Sequence, residues 1–125
     1  MSKAKTSNPY ARKLTIQMGV CKRMSKEASY YVKEVEENSA RVKKMKEDDQ
    51  DPFDIKKQEE VLDESVMMVP DSRRRLGEVM QALEELLAEA PEGQAEGGDS
   101  DEKVAEARAL LAAFREEEAQ LEAAK

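Results

Sequence analysis

An apolar heptad pattern passes through an interior proline, Pro70, without losing its phase. Residues at seven-residue intervals form one apolar row: Ile55, Leu62, Val69, Leu76, Leu83 and Ala90. A proline inside a helix removes one backbone hydrogen bond and clashes with the preceding turn, at a cost of about 3 kcal/mol. A break between two helices would ordinarily reset the phase. The pattern therefore predicts one long helix, with a structural kink at Pro70 and Asp71, that packs along its whole length.

Asparagine or aspartate followed by proline marks the start of two helices. Asn8-Pro9 and Asp51-Pro52 each combine a preferred N-cap residue with the residue preferred at the first helical position. A glycine-rich linker at 91–98 separates the second helix from an Ala-rich third one. The expected helices span about residues 9–47, 52–90 and 100–124, after a flexible N-terminal arm at residues 1–8.

Seam positions on the other two helices complete the expected fold. They are Leu14, Cys21, Ala28, Val35 and Val42 on the first helix, and Val104, Ala107, Leu111, Phe114 and Leu121 on the third. An interleaved row on the first helix contains Gln17 and Asn38, and buried amides of this kind tend to fix register. The short turn at 48–52 favours antiparallel pairing. The expected fold class is all-α: an elongated, coiled-coil-like antiparallel three-helix bundle whose middle helix is kinked.

The third helix is too short to cover the first two completely. It would be roughly 38 Å long against about 60 Å for the others, at 1.5 Å per residue. The uncovered tip, two helices thick, would contain Val35, Val42, Met45, Ile55 and Leu62. Such a thin apolar seam is either tolerated or a place where another molecule binds, and both interpretations stay open.

The residue types present argue against an enzyme. Charged residues make up 39% of the chain and aromatic residues 4%, a balance typical of long helices and coiled coils. The sequence has no His, no glycine-rich phosphate loop and no cluster with metal-ligand spacing, and its carboxylates fall on solvated helix faces rather than in a cleft. No catalytic residue, metal, cofactor or small-molecule substrate is expected.

Cysteine usage and hydropathy point to a compartment. The single cysteine, Cys21, cannot form an internal disulfide and is expected to be a small buried hydrophobe. We find no signal peptide and no apolar run long enough to cross a membrane. These features favour a reducing, cytoplasmic compartment and no membrane partner.

Charge is distributed unevenly along the chain. Residues 1–46 hold 12 Lys and Arg against 4 Asp and Glu, whereas residues 47–125 hold 9 against 24. Either a basic first helix lies against acidic later ones, or a basic surface meets an acidic partner, and both can hold. Met68 and Val66 lie beside Val69 of the apolar heptad row. They either fill the core or form an adaptable surface for a partner.

Several separated segments match one known family in the same order. They are residues 16–27 in the first helix, residues 54–58 with Glu64-Ser65, residues 67–71 with 74–76, and more weakly residues 106–108. These segments resemble the tubulin-binding cofactor A family, the tubulin-specific chaperones A. The likeness covers roughly residues 12–90 well and 101–122 loosely. The glycine-rich linker and the Ala-rich third helix depart from the family pattern.

The resemblance implies a three-helix bundle, kinked in its middle helix, that binds β-tubulin after the subunit leaves the cytosolic chaperonin. It implies work beside other tubulin-folding cofactors on the route to the αβ-tubulin heterodimer, without nucleotide or metal, in the cytoplasm and in association with microtubules. Tubulin is acidic overall, so the candidate contacts are basic residues and one methionine: Lys22, Arg23, Lys26, Lys56, Lys57, Met68, Arg73 and Arg74.

Two alternatives to a tubulin cofactor stay open. A structural coiled-coil protein would self-associate through the two-helix tip and form a homodimer. A nucleic-acid adaptor would use Arg73, Arg74 and Arg75, although an acidic chain without interleaved aromatic residues argues against nucleic acid as a partner.

Overall fold

The computed structural model describes residues 8–90 and 99–124, with the backbone alone at 99–101. Over those residues it contains three helices and no strand. They are α1 (Pro9–Glu47), α2 (Pro52–Ala88) and α3 (Asp99–Ala123). None of the three is long and apolar enough to cross a membrane. The expected linker at 91–98 and all but the last residue of the expected arm lie outside the described residues.

Side-chain caps explain where α1 and α2 begin. The Asn8 Oδ1 atom accepts hydrogen bonds from the backbone N–H groups of Tyr10 (3.0 Å) and Ala11 (3.2 Å). The Asp51 Oδ1 atom accepts one from the N–H of Phe53 at 2.8 Å. Each bond satisfies a donor that has no partner within the first helical turn. The N-cap roles predicted for Asn8 and Asp51 are confirmed.

The turn between α1 and α2 is closed by backbone hydrogen bonds at the end of α1. The N–H of Gln50 donates to the Met45 carbonyl and the N–H of Asp49 to the Lys46 carbonyl, both at 3.1 Å. Asp49 has a φ of 54° in this Schellman arrangement, which usually places glycine in the left-handed conformation. Aspartate tolerates that conformation better than most residues.

Helix α2 is continuous through Pro70 and ends at Ala88. Because proline has no N–H, the carbonyl of Val66 lacks its usual helical donor. At the C-terminal end of α2, the N–H groups of Glu89 and Ala90 donate to carbonyls three residues back. This is the 3₁₀ pattern, in which the last turn is tighter than an α-helix. Ala90, predicted as the last member of the heptad row, is therefore exposed and outside α2.

The described residues form two compact units. The first lies within Met1–Lys22 and Gly77–Lys125. It buries apolar side chains from all three helices: Tyr10, Ala11, Leu14, Met18 and Cys21 from α1, Met80 and Leu83 from α2, and Ala107 and Leu111 from α3. Side-chain hydrogen bonds cross from α1 to carbonyls of α2: Tyr10 Oη donates to Leu86 and Gln17 Nε2 to Val79, each at 2.9 Å, and Cys21 Sγ donates to Val79 at 3.3 Å. This unit therefore has a three-helix core.

One seam position predicted on α3 is wrong. Leu121 is 49% exposed, whereas Leu111 is buried and Phe114 is half-buried. Every residue of α3 beyond Phe114 that the structure describes is exposed. The heptad spacing continues past the part of the helix that this unit buries, so spacing alone overestimates the seam.

The second unit, Arg23–Leu76, consists of parts of α1 and α2 joined by their turn. Its buried apolar residues are Ala28, Val42 and Leu76, and its buried polar residues are Asn38, Ser65 and Ser72. The Asn38 Nδ2 atom donates to Ser65 Oγ at 3.3 Å, and Arg41 Nη1 donates to Asn38 Oδ1 at 3.1 Å. The amide predicted to interrupt the seam at Asn38 is thus part of a polar layer between the helices.

Candidate protein-binding surface

An apolar groove runs between α1 and α2 in the second unit. Its volume is about 500 Å³, and we call it the valine groove. Its lining residues are Val32, Val35 and Glu36 from α1, and Val66, Val69 and Pro70 from α2. Val32 and Val66 are exposed although both are large and apolar. The groove thus offers apolar surface that the second unit does not cover.

A second groove of about 480 Å³ in the same unit has a polar lining, and we call it the polar groove. Its residues are Tyr31, Glu34, Asn38, Arg41, Val61, Glu64, Ser65 and Met68. Val61 lies five residues before Val66, which turns it about 140° around α2 at 3.6 residues per turn. Met68, one of the predicted contact residues, is half-buried here rather than in the valine groove.

The basic residues predicted on α1 are all exposed. Lys22 belongs to the first unit, whereas Arg23 and Lys26 belong to the second. Arg23 and Lys26 are three residues apart and so are neighbours on the surface of α1. Of the predicted contacts on α1, the second unit therefore contains this pair.

The basic residues predicted on α2 fall into two groups. Lys56 and Lys57 are exposed near the start of the helix, and Lys57 Nζ lies 5.2 Å from the centroid of the exposed Phe53 ring, a cation–π distance. Arg73 and Arg74 lie beyond Pro70. Lys56 and Arg74 are on the same side of α2 but about 27 Å apart at 1.5 Å per residue, so they do not form one cluster.

Two of the arginines after Pro70 pair with carboxylates. Arg74 Nη2 donates to Asp71 Oδ1 at 2.9 Å, while Arg75 pairs with Asp71 and with Glu27 of α1, each at 3.7 Å. The hydrogen bond from Arg74, together with the charge of Arg75, holds the pKa of Asp71 below its usual value, although desolvation opposes them. Among the predicted tubulin contacts is Arg73, which is half-buried here, whereas Arg75, named only for the nucleic-acid alternative, joins the two helices.

The described side chains offer no activated nucleophile at the cysteine. Cys21 is fully buried, and its Sγ donates to the Val79 carbonyl at 3.3 Å. Burial raises the pKa of the thiol, and a hydrogen bond with Gln17 opposes that shift only in part. A raised pKa keeps the group as the unreactive thiol. Among the described residues no group of three or more Cys, Asp or Glu is placed to hold a metal ion.

The sequence analysis singled out the α2 side of the valine groove only. It identified Val66 beside the Val69 row but did not connect them with Val32 and Val35 on α1. In each pair the two valines are three residues apart. A valine at an exposed helix position is the sequence signal that points to such a surface, because β-branched residues have weak helix propensity and are not favoured there for helix stability alone. Whether the two pairs face each other depends on the register of α1 against α2, which the spacing within one helix does not define.

Comparisons with known proteins give one consistent result. The family described as "Tubulin binding cofactor A" matches residues 9–111. The tubulin-folding cofactor A of Arabidopsis thaliana is 46% identical over 81 residues, which are 65% of this chain and 72% of that protein. The solved structure of human tubulin chaperone cofactor A superposes with a TM-score of 0.67 at 36% identity, covering 86% of this chain and 99% of that one.

A further similar solved structure is of a protein that is described by what it binds. It is RBL2P, a "beta-tubulin binding post-chaperonin cofactor". It is 35% identical with a TM-score of 0.59, and the match covers 79% of this chain and 97% of that one.

Proposed function

Because the chain belongs to the tubulin-binding cofactor A family, we propose that it binds β-tubulin after chaperonin release and holds it on the route to the αβ-tubulin heterodimer. The observation that carries this proposal is the family match over residues 9–111, together with the similar solved structure of a β-tubulin binding cofactor. Binding alone can perform the role, because a partner that prefers one state shifts the population toward it. The role needs no catalysis and belongs in the cytoplasm, beside other tubulin-folding cofactors.

The proposal includes a geometry for the helices, namely an antiparallel arrangement with a bend in α2 at Pro70. The order of the contacts within each unit supports the antiparallel arrangement, and the helical hydrogen bond that Pro70 cannot make supports the bend. In the second unit Lys46 pairs with Glu59 at 3.0 Å, and Glu27, far earlier on α1, pairs with Arg75, far later on α2. In the first unit Tyr10 and Gln17 bond to Leu86 and Val79 in the same reversed order.

Client specificity is the first test. The full chain is immobilised and offered isolated β-tubulin, isolated α-tubulin and the assembled heterodimer side by side. We expect retention of β-tubulin, and little retention of α-tubulin or of the heterodimer. Equal retention of all three, or retention of none, would contradict the proposal.

Electrostatic attraction to the acidic client is the second part of the proposal. Its candidate contacts are the basic residues Lys22, Arg23, Lys26, Lys56, Lys57, Arg73 and Arg74. Lys56→Glu with Lys57→Glu should weaken β-tubulin binding about tenfold and flatten its salt dependence, because attraction between exposed charges is screened over about 10 Å at 0.1 M salt. Titration at several salt concentrations measures both effects.

A matched double variant separates contact from net charge. Lys33→Glu with Lys43→Glu changes the charge of the chain by the same amount and alters two exposed lysines of α1. We expect its affinity to stay within about threefold of the parent. If both double variants weaken binding equally, net charge rather than the Lys56 and Lys57 contact is responsible.

Self-association is the second candidate function, and the uncovered valine groove favours it. Exposed apolar grooves between helices are typical places for another helix to pack, including one from a second copy. Sedimentation of the full chain over a wide concentration range tests it. A strong monomer–dimer shift without β-tubulin retention would replace the tubulin proposal with a structural coiled-coil role.

A further inference from the structure

Equivalent heptad positions on α1 and α2 differ sharply in exposure between the two units. On α1, Met18 is 3% exposed, whereas Val32, two heptads later, is 42% exposed. On α2, Met80 is 3% exposed, whereas Val66, two heptads earlier, is 48% exposed. Residues seven apart lie on nearly the same side of a helix. The face that the first unit buries is therefore open in the second.

Helix α3 covers this face in the first unit. Its residues Ala107 and Leu111, one turn apart, are both buried. Arg115, four residues further along, pairs with Glu84 of α2, which lies four residues after Met80. Residues four apart share a side of the helix, so α3 lies along the Met80 side of α2. Within Arg23–Leu76, all of which the structure describes, only α1 and α2 contribute.

We propose that the valine groove receives one amphipathic α-helix of the client, in the register that α3 occupies in the first unit. This inference rests on the proposed function and assigns the client-binding site. The incoming helix carries apolar residues at spacings of three and four, which fill the space between Val32 and Val66. It carries a lysine or arginine beside that stripe, because Glu36 is the charged residue in the groove lining.

The walls of the groove suit a helix rather than an extended strand. Both walls are α-helices whose backbone groups bond internally, so they offer no edge with which a strand could pair. The backbone acceptor released on this side is the Val66 carbonyl, which Pro70 deprives of its donor. A strand laid in the groove would leave most of its own backbone groups without partners, whereas a helix satisfies its own.

Charge argues for a client helix rather than a second copy. In a two-fold contact between copies, each groove would place its Glu36 in the shared interface, where like charges are unfavourable. A client helix with a basic residue beside its apolar stripe meets Glu36 with the opposite charge and avoids this penalty.

Two valines of α2 provide a matched pair of variants. Val66 and Val61 are both 48% exposed in the same unit, but Val66 lines the valine groove and Val61 the polar groove. Val66→Glu should lower the affinity for isolated β-tubulin at least tenfold, and Val32→Glu should do the same from the other wall. Val61→Glu should stay within threefold of the parent. Circular dichroism and melting temperature establish that all three variants fold.

Photo-crosslinking identifies the occupant directly. A photo-crosslinking residue at position 66 should capture β-tubulin, and peptide mapping should place the adduct in a helical segment of the client with a nearby basic residue. The same residue at position 61 should capture β-tubulin poorly. Capture from position 61 alone, or an adduct in an extended segment, overturns the inference.

The outcomes separate this inference from the proposed function. If the parent chain binds β-tubulin and the Val61 and Val66 variants bind alike, the inference is wrong and the function stands. If the parent does not bind β-tubulin at all, the proposed function itself fails. If sedimentation shows a parent dimer that Val66→Glu converts to monomer while β-tubulin binding is unchanged, a second copy occupies the groove and the inference is overturned.

Discussion

The two units are built from the same two long helices, yet their interiors differ in kind. The first adds α3 and buries large apolar side chains such as Leu14 and Leu83 completely. The second has no third helix, buries Asn38, Ser65 and Ser72, and leaves Val32 and Val66 exposed. A third helix thus decides whether the shared apolar face becomes core or surface. The contrast shows how one pair of helices can supply both a well-packed apolar core and an uncovered apolar surface.

Energetics follow from this difference in composition. Burying apolar surface contributes about 25 cal/mol per Å², whereas a hydrogen bond within the protein contributes about 1 kcal/mol net because water offers the same bond to the unfolded chain. The polar layer around Asn38 therefore specifies register more than it stabilises. We expect local opening to need less free energy in the second unit than in the first.

The largest expected effect comes from one substitution made in both units. Leu62 and Leu83 occupy the same heptad row of α2, but Leu83 is fully buried and Leu62 only half-buried. Leu83→Ala should lower the free energy of unfolding by about 2–5 kcal/mol, as for other buried leucines. Leu62→Ala should cost about 1 kcal/mol because less apolar area is lost. Urea titration of both variants measures the difference, and equal losses would erase the proposed contrast.

Two prolines of α2 provide the next comparison. Pro70→Ala restores the hydrogen bond to the Val66 carbonyl and should raise the free energy of unfolding by up to about 3 kcal/mol. Pro52 is the first residue of α2, where the N–H that an alanine would bring has no helical acceptor, so Pro52→Ala should change the free energy of unfolding by less than about 0.5 kcal/mol. Thermal unfolding compares them. A lower melting temperature and weaker β-tubulin binding for Pro70→Ala would mean that packing in the second unit requires a bend.

The smallest expected effect concerns Gly77, where the first unit begins on α2. A Cβ atom built at this glycine meets nothing within 4 Å, so alanine fits without strain. Gly77→Ala should raise the free energy of unfolding by about 1 kcal/mol through helix propensity. Ala82→Gly, at an exposed position five residues later, should lower the free energy of unfolding by a similar amount. A loss of stability in Gly77→Ala would show that α2 needs the freedom of glycine there.

Sequence periodicity predicted the helices well because their signals are local. The N-caps at Asn8 and Asp51 need only a side chain and the next three residues, and both occur as predicted. Heptad spacing likewise placed Leu14, Cys21 and Leu83 in the core. It failed at Leu121, because spacing records which side a residue faces and not whether another helix is there to cover it.

The candidate site was harder to predict because it depends on which residues of α1 lie opposite which residues of α2. Basic residues are conspicuous in a sequence, so Lys56, Lys57, Arg73 and Arg74 were selected. The structure separates the first pair from the second along α2 and engages Arg74 with Asp71. The pairing of Val32 with Val66 was not predicted, since it arises from the register of α1 against α2.

The short turn at residues 48–51 affects the order in which the two units fold. Arg23–Leu76 is one uninterrupted stretch, whereas the first unit joins residues as distant as Tyr10 and Leu86, 76 positions apart. Contacts between near neighbours in sequence form fastest, because little chain entropy is lost in closing a small loop. We therefore expect the second unit, which carries the groove, to close before α3 has left the ribosome, so that the segment with the weaker interior assembles first.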